Sequence, residues 1–196
     1  MKIEQIRPEE IERRSFEIIT DLLGEQQPPD ETAHIVKRVI HTTADLEYAE
    51  TLYFSENAAQ ILSQALAEGA HIVTDTQMAL SGINKKTLAA FGGQVHCFMA
   101  DEDVARQARE RGVTRACVSM EKAATLSVPL IFAIGNAPTA LLRLDELVRE
   151  GTVRPRLIIG VPVGFVNVVQ SKERIMNAGV PCIVAKGRKG GSNVAA

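Results

Sequence analysis

Leu130-Ile131-Phe132-Ala133-Ile134-Gly135-Asn136-Ala137-Pro138-Thr139 sets five consecutive apolar residues directly before a glycine and a proline-led helical segment. An uninterrupted apolar run of this length reads as a strand buried on both faces, as in parallel sheets. Pro138 suits the first turn of the helix that follows, which runs to about Glu150. The same order recurs on both sides. Upstream, His71-Ile72-Val73-Thr74 precedes a short helical piece. Gln94-Val95-His96-Cys97-Phe98-Met99 precedes a helix from Asp101 to Arg111 that stops at Gly112, and another helix starts at Thr114. Downstream, Leu157-Ile158-Ile159-Gly160-Val161 is followed by a helix near Ser171 to Asn177, and Cys182-Ile183-Val184-Ala185 closes the series. Five apolar runs separated by helical sequence predict an α/β fold. The expected form is a three-layer α/β/α domain, with a mainly parallel sheet of about five strands and right-handed crossovers.

Before the first run the pattern is helical. Pro8, with Glu9 and Glu10 behind it, opens a helix that reaches about Leu23 and ends at Gly24. Glu25-Gln26-Gln27-Pro28-Pro29-Asp30 is a soft boundary. Asp30 or Thr32 then caps a second helix, whose apolar stripe is Ile35, Val36, Val39 and Ile40. A third covers Glu56 to Glu68 and stops at Gly69. With no internal repeat and no low-complexity linker, residues 1–196 read as a single domain with N-terminal helices.

Composition narrows the function classes. Hydrophobic residues make up 45% and charged residues 23%, a balance that supports a packed globular core. A net charge of −2 argues against nucleic acid as the main partner, though not against a local basic pocket. Cys97, Cys117 and Cys182 are odd in number and far apart, which points to a reducing compartment with the thiols serving as core residues. The opening MKIEQIRPEEIERR is charged where a signal peptide is apolar, and no run of about 18 apolar residues appears that would span a membrane. The expected location is the cytoplasm.

Ligands of doubly wound sheets bind beyond the carboxyl ends of the strands. Four loops qualify: Asp75-Thr76-Gln77-Met78, Gly135 to Thr139, Pro162-Val163-Gly164-Phe165-Val166-Asn167, and Lys186-Gly187-Arg188-Lys189-Gly190-Gly191-Ser192-Asn193. Glycines permit close backbone approach, and the basic side chains of the last loop suit a carboxylate or phosphate. Each glycine reads equally as a simple turn, and the basic run alone is more often a solvated tail. GxGxxG and GxxxxGKS are both absent, so the usual nucleotide fingerprints are missing.

The histidines are His34, His41, His71 and His96. His34 and His41 are seven apart on one helix, without the HExxH pattern or a nearby acid to complete a zinc triad. No metal site is expected. His71 and His96 sit at or inside strands and read as core or edge residues. His41 ends a strongly apolar stripe. It reads either as a structural helix-end residue or as a proton donor, for which a free pKa of about 6.5 is suited.

Taken in order along the chain, several segments resemble the precorrin-8X methylmutase family, which includes the cobalt-precorrin-8 enzymes. Ile11-Glu12-x-Arg14-Ser15-Phe16 looks like its opening helix, and Arg38-Val39-Ile40-His41 like its catalytic-histidine segment. Thr74-Asp75-x-Gln77-Met78-x-x-x-Gly82-Ile83 resembles the loop after its first strand, and Thr114-Arg115 begins a segment bearing a substrate-contacting arginine. Ile134-Gly135-Asn136-Ala137-Pro138-Thr139-Ala140-Leu141-x-Arg143-Leu144 and Gly160-x-Pro162-Val163-Gly164-Phe165-Val166, with Ser171-Lys172 after it, are the two long matches. Gly187-Arg188-Lys189-Gly190-Gly191-Ser192 closes the set. The chain stops at Ala196, where the family pattern leads one to expect a further helical turn.

The resemblance implies an isomerase of cobalamin biosynthesis that moves a methyl group from C11 to C12 of the macrocycle. The product is hydrogenobyrinic acid, or cobyrinic acid when cobalt is present. It implies no cofactor, because the substrate carries both the methyl group and the electrons. It also implies a homodimer, with the active site near the interface. His41 takes the catalytic role by this resemblance, and Ser15 and Arg115 match positions that hold substrate. Asp75, Gln77, Asn136 and Thr139 are expected substrate contacts within the matched loops. Arg188 and Lys189, and also Arg143, are candidates to neutralise acetate and propionate side chains. Two other classes stand beside this one. The first is a non-catalytic tetrapyrrole carrier. The second is a nucleotide-dependent enzyme on a doubly wound sheet, which rests on fold analogy alone and lacks the fingerprints.

Overall fold

The computed structural model describes residues 4–196. The chain forms two compact units, one ending at Leu52 and one from Tyr53 to Ala196. The first unit begins with a 3-10 turn at Pro8–Glu10, followed by α1 (Ile11–Leu23), α2 (Asp30–Thr43) and α3 (Tyr48–Thr51). Ile19 and Leu23 of α1 are buried, and of the expected stripe of α2 Val36, Val39 and Ile40 are buried and Ile35 half-buried. Pro29 supplies the extended residue before α2, and Asp30 is its first helical residue rather than a side-chain cap. The helix ends on Ala44 in the left-handed conformation, whose N–H closes on Ile40 O at 2.7 Å.

The sheet has six strands: β1 (Leu52–Phe54), β2 (His71–Thr74), β3 (Val95–His96), β4 (Leu130–Ile134), β5 (Leu157–Gly160) and β6 (Cys182–Ala185). Their order is β1-β6-β5-β4-β2-β3, and the β2–β3, β2–β4, β4–β5 and β5–β6 pairs are parallel. The helices between them are α4 (Ala58–Ala67), α5 (Gln77–Gly82), α6 (Lys85–Ala90), α7 (Glu102–Arg111), α8 (Arg115–Ala123), α9 (Pro138–Arg149), α10 (Val168–Met176) and α11 (Ser192–Ala195).

All five residues of β4 are buried, as its apolar run predicts. Alternate strand residues divide between the two faces. Phe132, Ile134, Ile158 and Val184 pack with Met120 of α8, Leu141 and Leu144 of α9 and Ile175 of α10. On the other face Ile72, Ile131 and Ile159 meet Leu62 of α4, Leu88 of α6 and Ala195 of α11 around an apolar cavity of about 270 Å³. This is the three-layer α/β/α arrangement.

The sheet gains a sixth strand over the expected five. β1 is three residues long, too short to show a period, and Ser55 just beyond it donates its N–H to Cys182 O at 2.9 Å. β3 keeps only Val95–His96 of the expected Gln94 to Met99 run. Beyond it the chain turns, with Asp101 N–H donating to Phe98 O at 3.1 Å. Sequence order runs from β2 out to β3, then back across β2 to β4. The strand order therefore reverses between β2 and β4, and the carboxyl ends at such a switch point are where doubly wound sheets bind ligands.

Candidate active site

In the first unit His41 lies exposed on the last turn of α2, where the helix carbonyls favour positive charge. Its ring tilts against Phe16 of α1, with the centroids 5.5 Å apart. The Arg38 guanidinium lies over the same phenyl ring at 4.9 Å and pairs with Glu12. Phe16 thus contacts both the Arg38 guanidinium and the His41 imidazole. Ser15, half-buried, is the neighbouring residue on α1.

The second unit gathers its loops at the carboxyl end of the sheet. Asp75 follows β2 and is 1% exposed. Its carboxylate accepts the backbone N–H groups of Gly135 (2.9 Å), Asn136 (2.8 Å) and Ala137 (2.6 Å). Burial pushes this carboxyl above the usual carboxylate range, and the three N–H donors oppose the shift. At the switch point the N–H groups that open α9 are therefore met by the protein's own carboxyl group. Thr76 caps α5 by accepting from Ala79 N at 3.0 Å, and its hydroxyl meets Ser192 Oγ at 2.8 Å. Gly135 lets the C-terminal loop pass close by: a Cβ there would lie 2.7 Å from Gly191 O.

The remaining loops are joined in the same way. Gly164 N donates to Arg188 O at 3.1 Å and Gly191 N to Val161 O at 2.9 Å. Lys172, buried on α10, donates to Gly187 O at 2.9 Å and Lys189 O at 2.8 Å. Thr114 caps α8, and its hydroxyl meets that of Thr139 at 2.9 Å, setting Arg115 at the exposed start of the helix beside α9. Phe165 and Val166 project from the loop after β5, 84% and 79% exposed, and Met78 from the start of α5, 70% exposed.

Seven sequence-predicted residues of this unit, Asp75, Gln77, Arg115, Asn136, Thr139, Arg188 and Lys189, thus lie on or beside loops at one end of the sheet. Asp75 differs from the rest, since its acceptors are committed to backbone. Arg143 is likewise engaged, with Glu121 at 2.9 Å, Glu146 at 2.7 Å and Glu150 at 3.3 Å. His71 Nδ1 and His96 Nε2 are 2.8 Å apart and satisfy each other at the sheet edge. Among the described residues no group of three or more His, Cys, Asp or Glu is placed to hold a metal ion.

Sequence reasoning missed Thr114, Ser192 and Lys172 as organisers of these loops. Lys172 left a trace: it occupies the buried stripe of Val168 and Ile175, where a helix normally places an apolar residue.

A family model described as precorrin-8X methylmutase matches residues 10–196. The cobalt-precorrin-8 methylmutase of Priestia megaterium is 44% identical over 189 residues, covering 96% of this chain and 84% of that protein. The enzyme of the same name from Salmonella typhimurium is 45% identical over 196 residues, covering 97% and 91%. The crystal structure of precorrin-8x methyl mutase from Thermus thermophilus aligns with a TM-score of 0.85 and 38% identity, over 95% of this chain and 91% of that one.

Proposed function

The chain belongs to the precorrin-8X methylmutase family, and from that membership we propose how its residues divide the work of the reaction. Like the relatives it matches, it is a methylmutase, an isomerase of cobalamin biosynthesis. Its reaction breaks the bond from the methyl group to C11 of precorrin-8X or cobalt-precorrin-8 and forms the bond to C12. The ring's own electrons shift to compensate, so no oxidant, reductant or cofactor enters the balance. The observation that carries this reading is the family match, which runs through both units without a break. We take residues 1–196 to act as one methylmutase domain on the same ground.

What remains for the protein is to hold a flexible polycarboxylate in one conformation and to draw electron density toward a ring nitrogen. His41 is assigned the second task. Its imidazolium donates a hydrogen bond or a proton to the ring nitrogen as the methyl bond weakens, then takes the proton back. Its position on a helix C-terminal turn, against Phe16, supports that role. Ser15, Gln77, Asn136, Thr139, Arg115, Arg188 and Lys189 are assigned to binding. The exposure of Arg115 and Arg188 supports their pairing with substrate carboxylates. Asp75 is assigned an indirect part, fixing the loop that carries Asn136 and Thr139.

The working form in this proposal is a homodimer with the site near the interface, inside the cytoplasm. The exposed Met78, Phe165 and Val166 support a covering partner, and the three free cysteines support a reducing compartment. No helix among the described residues is long and apolar enough to cross a membrane. The test is a visible absorption spectrum of the purified protein incubated with precorrin-8X and, separately, with cobalt-precorrin-8. Conversion of one of them to its byrinic acid product is expected, and conversion of neither contradicts the reading.

A further inference from the structure

Lys172 is a buried amine that pairs with no acid among the described residues. It lies in a buried stripe of α10 and is 1% exposed. Lysine rarely occupies such a place unpaired, because an ammonium loses its hydration there. Desolvation lowers its pKa to about 8. Its partners are two backbone carbonyls, Gly187 O at 2.9 Å and Lys189 O at 2.8 Å. The carbonyl between them, Arg188 O, accepts from Gly164 N at 3.1 Å. Three successive carbonyls of one loop are therefore held by donors from α10 and from the loop after β5.

That orientation has an electrostatic consequence. Carbonyl oxygens are the negative ends of peptide dipoles, and a loop that presents them outward repels carboxylates. Here they are drawn into the protein, while the side chains of Lys186, Arg188 and Lys189 are exposed, the Lys186 ammonium lying over the Tyr53 ring at 5.4 Å. Gly190 keeps the turn close: a Cβ there would collide with Val161 O and lie 2.9 Å from Pro162 O. A methionine in place of Lys172 would fill the same channel and leave the carbonyls unanswered.

We propose that Lys172 is a positioning residue for substrate recognition, turning the Gly187 and Lys189 carbonyls inward so that the 186–191 loop receives the carboxylate side chains of the substrate. The identity of that ligand, a polycarboxylate macrocycle, rests on the functional reading above; the clamp itself does not.

The experiment compares wild type with Lys172→Met in two arms. In the first, trypsin digests the folded protein and mass spectrometry follows cleavage after Arg188 and Lys189. The clamped loop should resist in wild type and be cut about tenfold faster in the variant, the scale set by losing hydrogen bonds from a charged donor. In the second, steady-state kinetics with the corrin precursor should show KM raised about tenfold while kcat stays within about threefold, the pattern of lost binding. Equal trypsin resistance in the two proteins overturns the proposal. So does an unchanged KM, or a parallel fall in kcat and melting temperature. If Lys172→Met does not fold, Lys172→Gln, which keeps a donor for one carbonyl, should show the same pattern at smaller amplitude. Failure of both to fold would mean the amine supports the fold rather than the loop, and overturns the proposal as well. If wild type converts neither precursor, the functional reading fails, and the trypsin arm still decides the clamp.

Discussion

The Asp75 carboxylate accepts the Gly135 N–H at 2.9 Å, joining the ends of β2 and β4 across the point where the strand order reverses. Two further N–H groups, of Asn136 and Ala137, close on the same side chain. In many doubly wound proteins a ligand anion takes this place at a helix N-terminus. Here the loop before α9 arrives already ordered. Asp75→Ala leaves three donors without a partner, and each buried unsatisfied donor costs about 1–3 kcal/mol. Urea denaturation should show a loss of at least about 3 kcal/mol on the same scale. Asp75→Asn should recover part of this loss, because an amide oxygen in the Oδ2 position still accepts from Asn136 and Ala137 while its NH2 faces the Gly135 donor. A loss below about 1 kcal/mol for Asp75→Ala would show that the loop is held by other contacts.

Glycines of the second unit should separate into two classes. Gly190, at φ 156°, lies against the Val161 and Pro162 carbonyls. Gly179, at φ 72°, has nothing within 4 Å of a built Cβ. Gly179→Ala should cost only the left-handed conformation, about 1–2 kcal/mol. Gly190→Ala adds a steric collision and should lower the melting temperature considerably more. Equal effects at the two positions would contradict this account of the loop.

Lys172 also predicts a stability profile. Its pKa falls from 10.5 in the unfolded chain to about 8 in the fold, through desolvation. Between those values the unfolded state binds more protons, so stability rises with pH. Wild type should therefore gain stability relative to Lys172→Met between about pH 8 and 10.5, by denaturant melts at each pH. A flat difference across that window would place the amine in a better solvated site.

Much of this architecture is legible in the sequence. The β4 run and Pro138 give strand, loop and helix directly, since burial on both faces demands unbroken apolar sequence. β1 is invisible because three residues cannot display a period. β3 is overread because an apolar run does not reveal where an edge strand leaves its ladder. For the site, strand ends mark the loops, but the bonds that join them do not show. Asp75 reads as a ligand contact until its three N–H partners are seen. Lys172 falls on the apolar stripe of its helix, but the two carbonyls it binds do not show in the sequence. The roles proposed for His41, Ser15 and Arg115 rest on family resemblance, since a helix-end histidine carries no unique local signature.

Arg115 should behave as a substrate anchor. It is the exposed first residue of α8, held there by the Thr114 cap. Arg115→Ala removes one guanidinium–carboxylate contact, which at a partly desolvated site is worth about 1.5–3 kcal/mol. Its KM should rise by at least about tenfold, with a smaller change in kcat at saturation. A fall in kcat with KM unchanged would instead give Arg115 a role in the transition state.

His41 is proposed to stabilise the migrating-methyl transition state more than the bound substrate. The direct measurement is single-turnover conversion of the corrin precursor by wild type and by His41→Ala, with binding measured separately. Turnover should fall by about 10²–10⁴-fold, the range for a positioned proton donor, while binding weakens far less. If His41→Ala converts the substrate at the wild-type rate, the mechanism is wrong, and His41 is a structural residue at the end of α2.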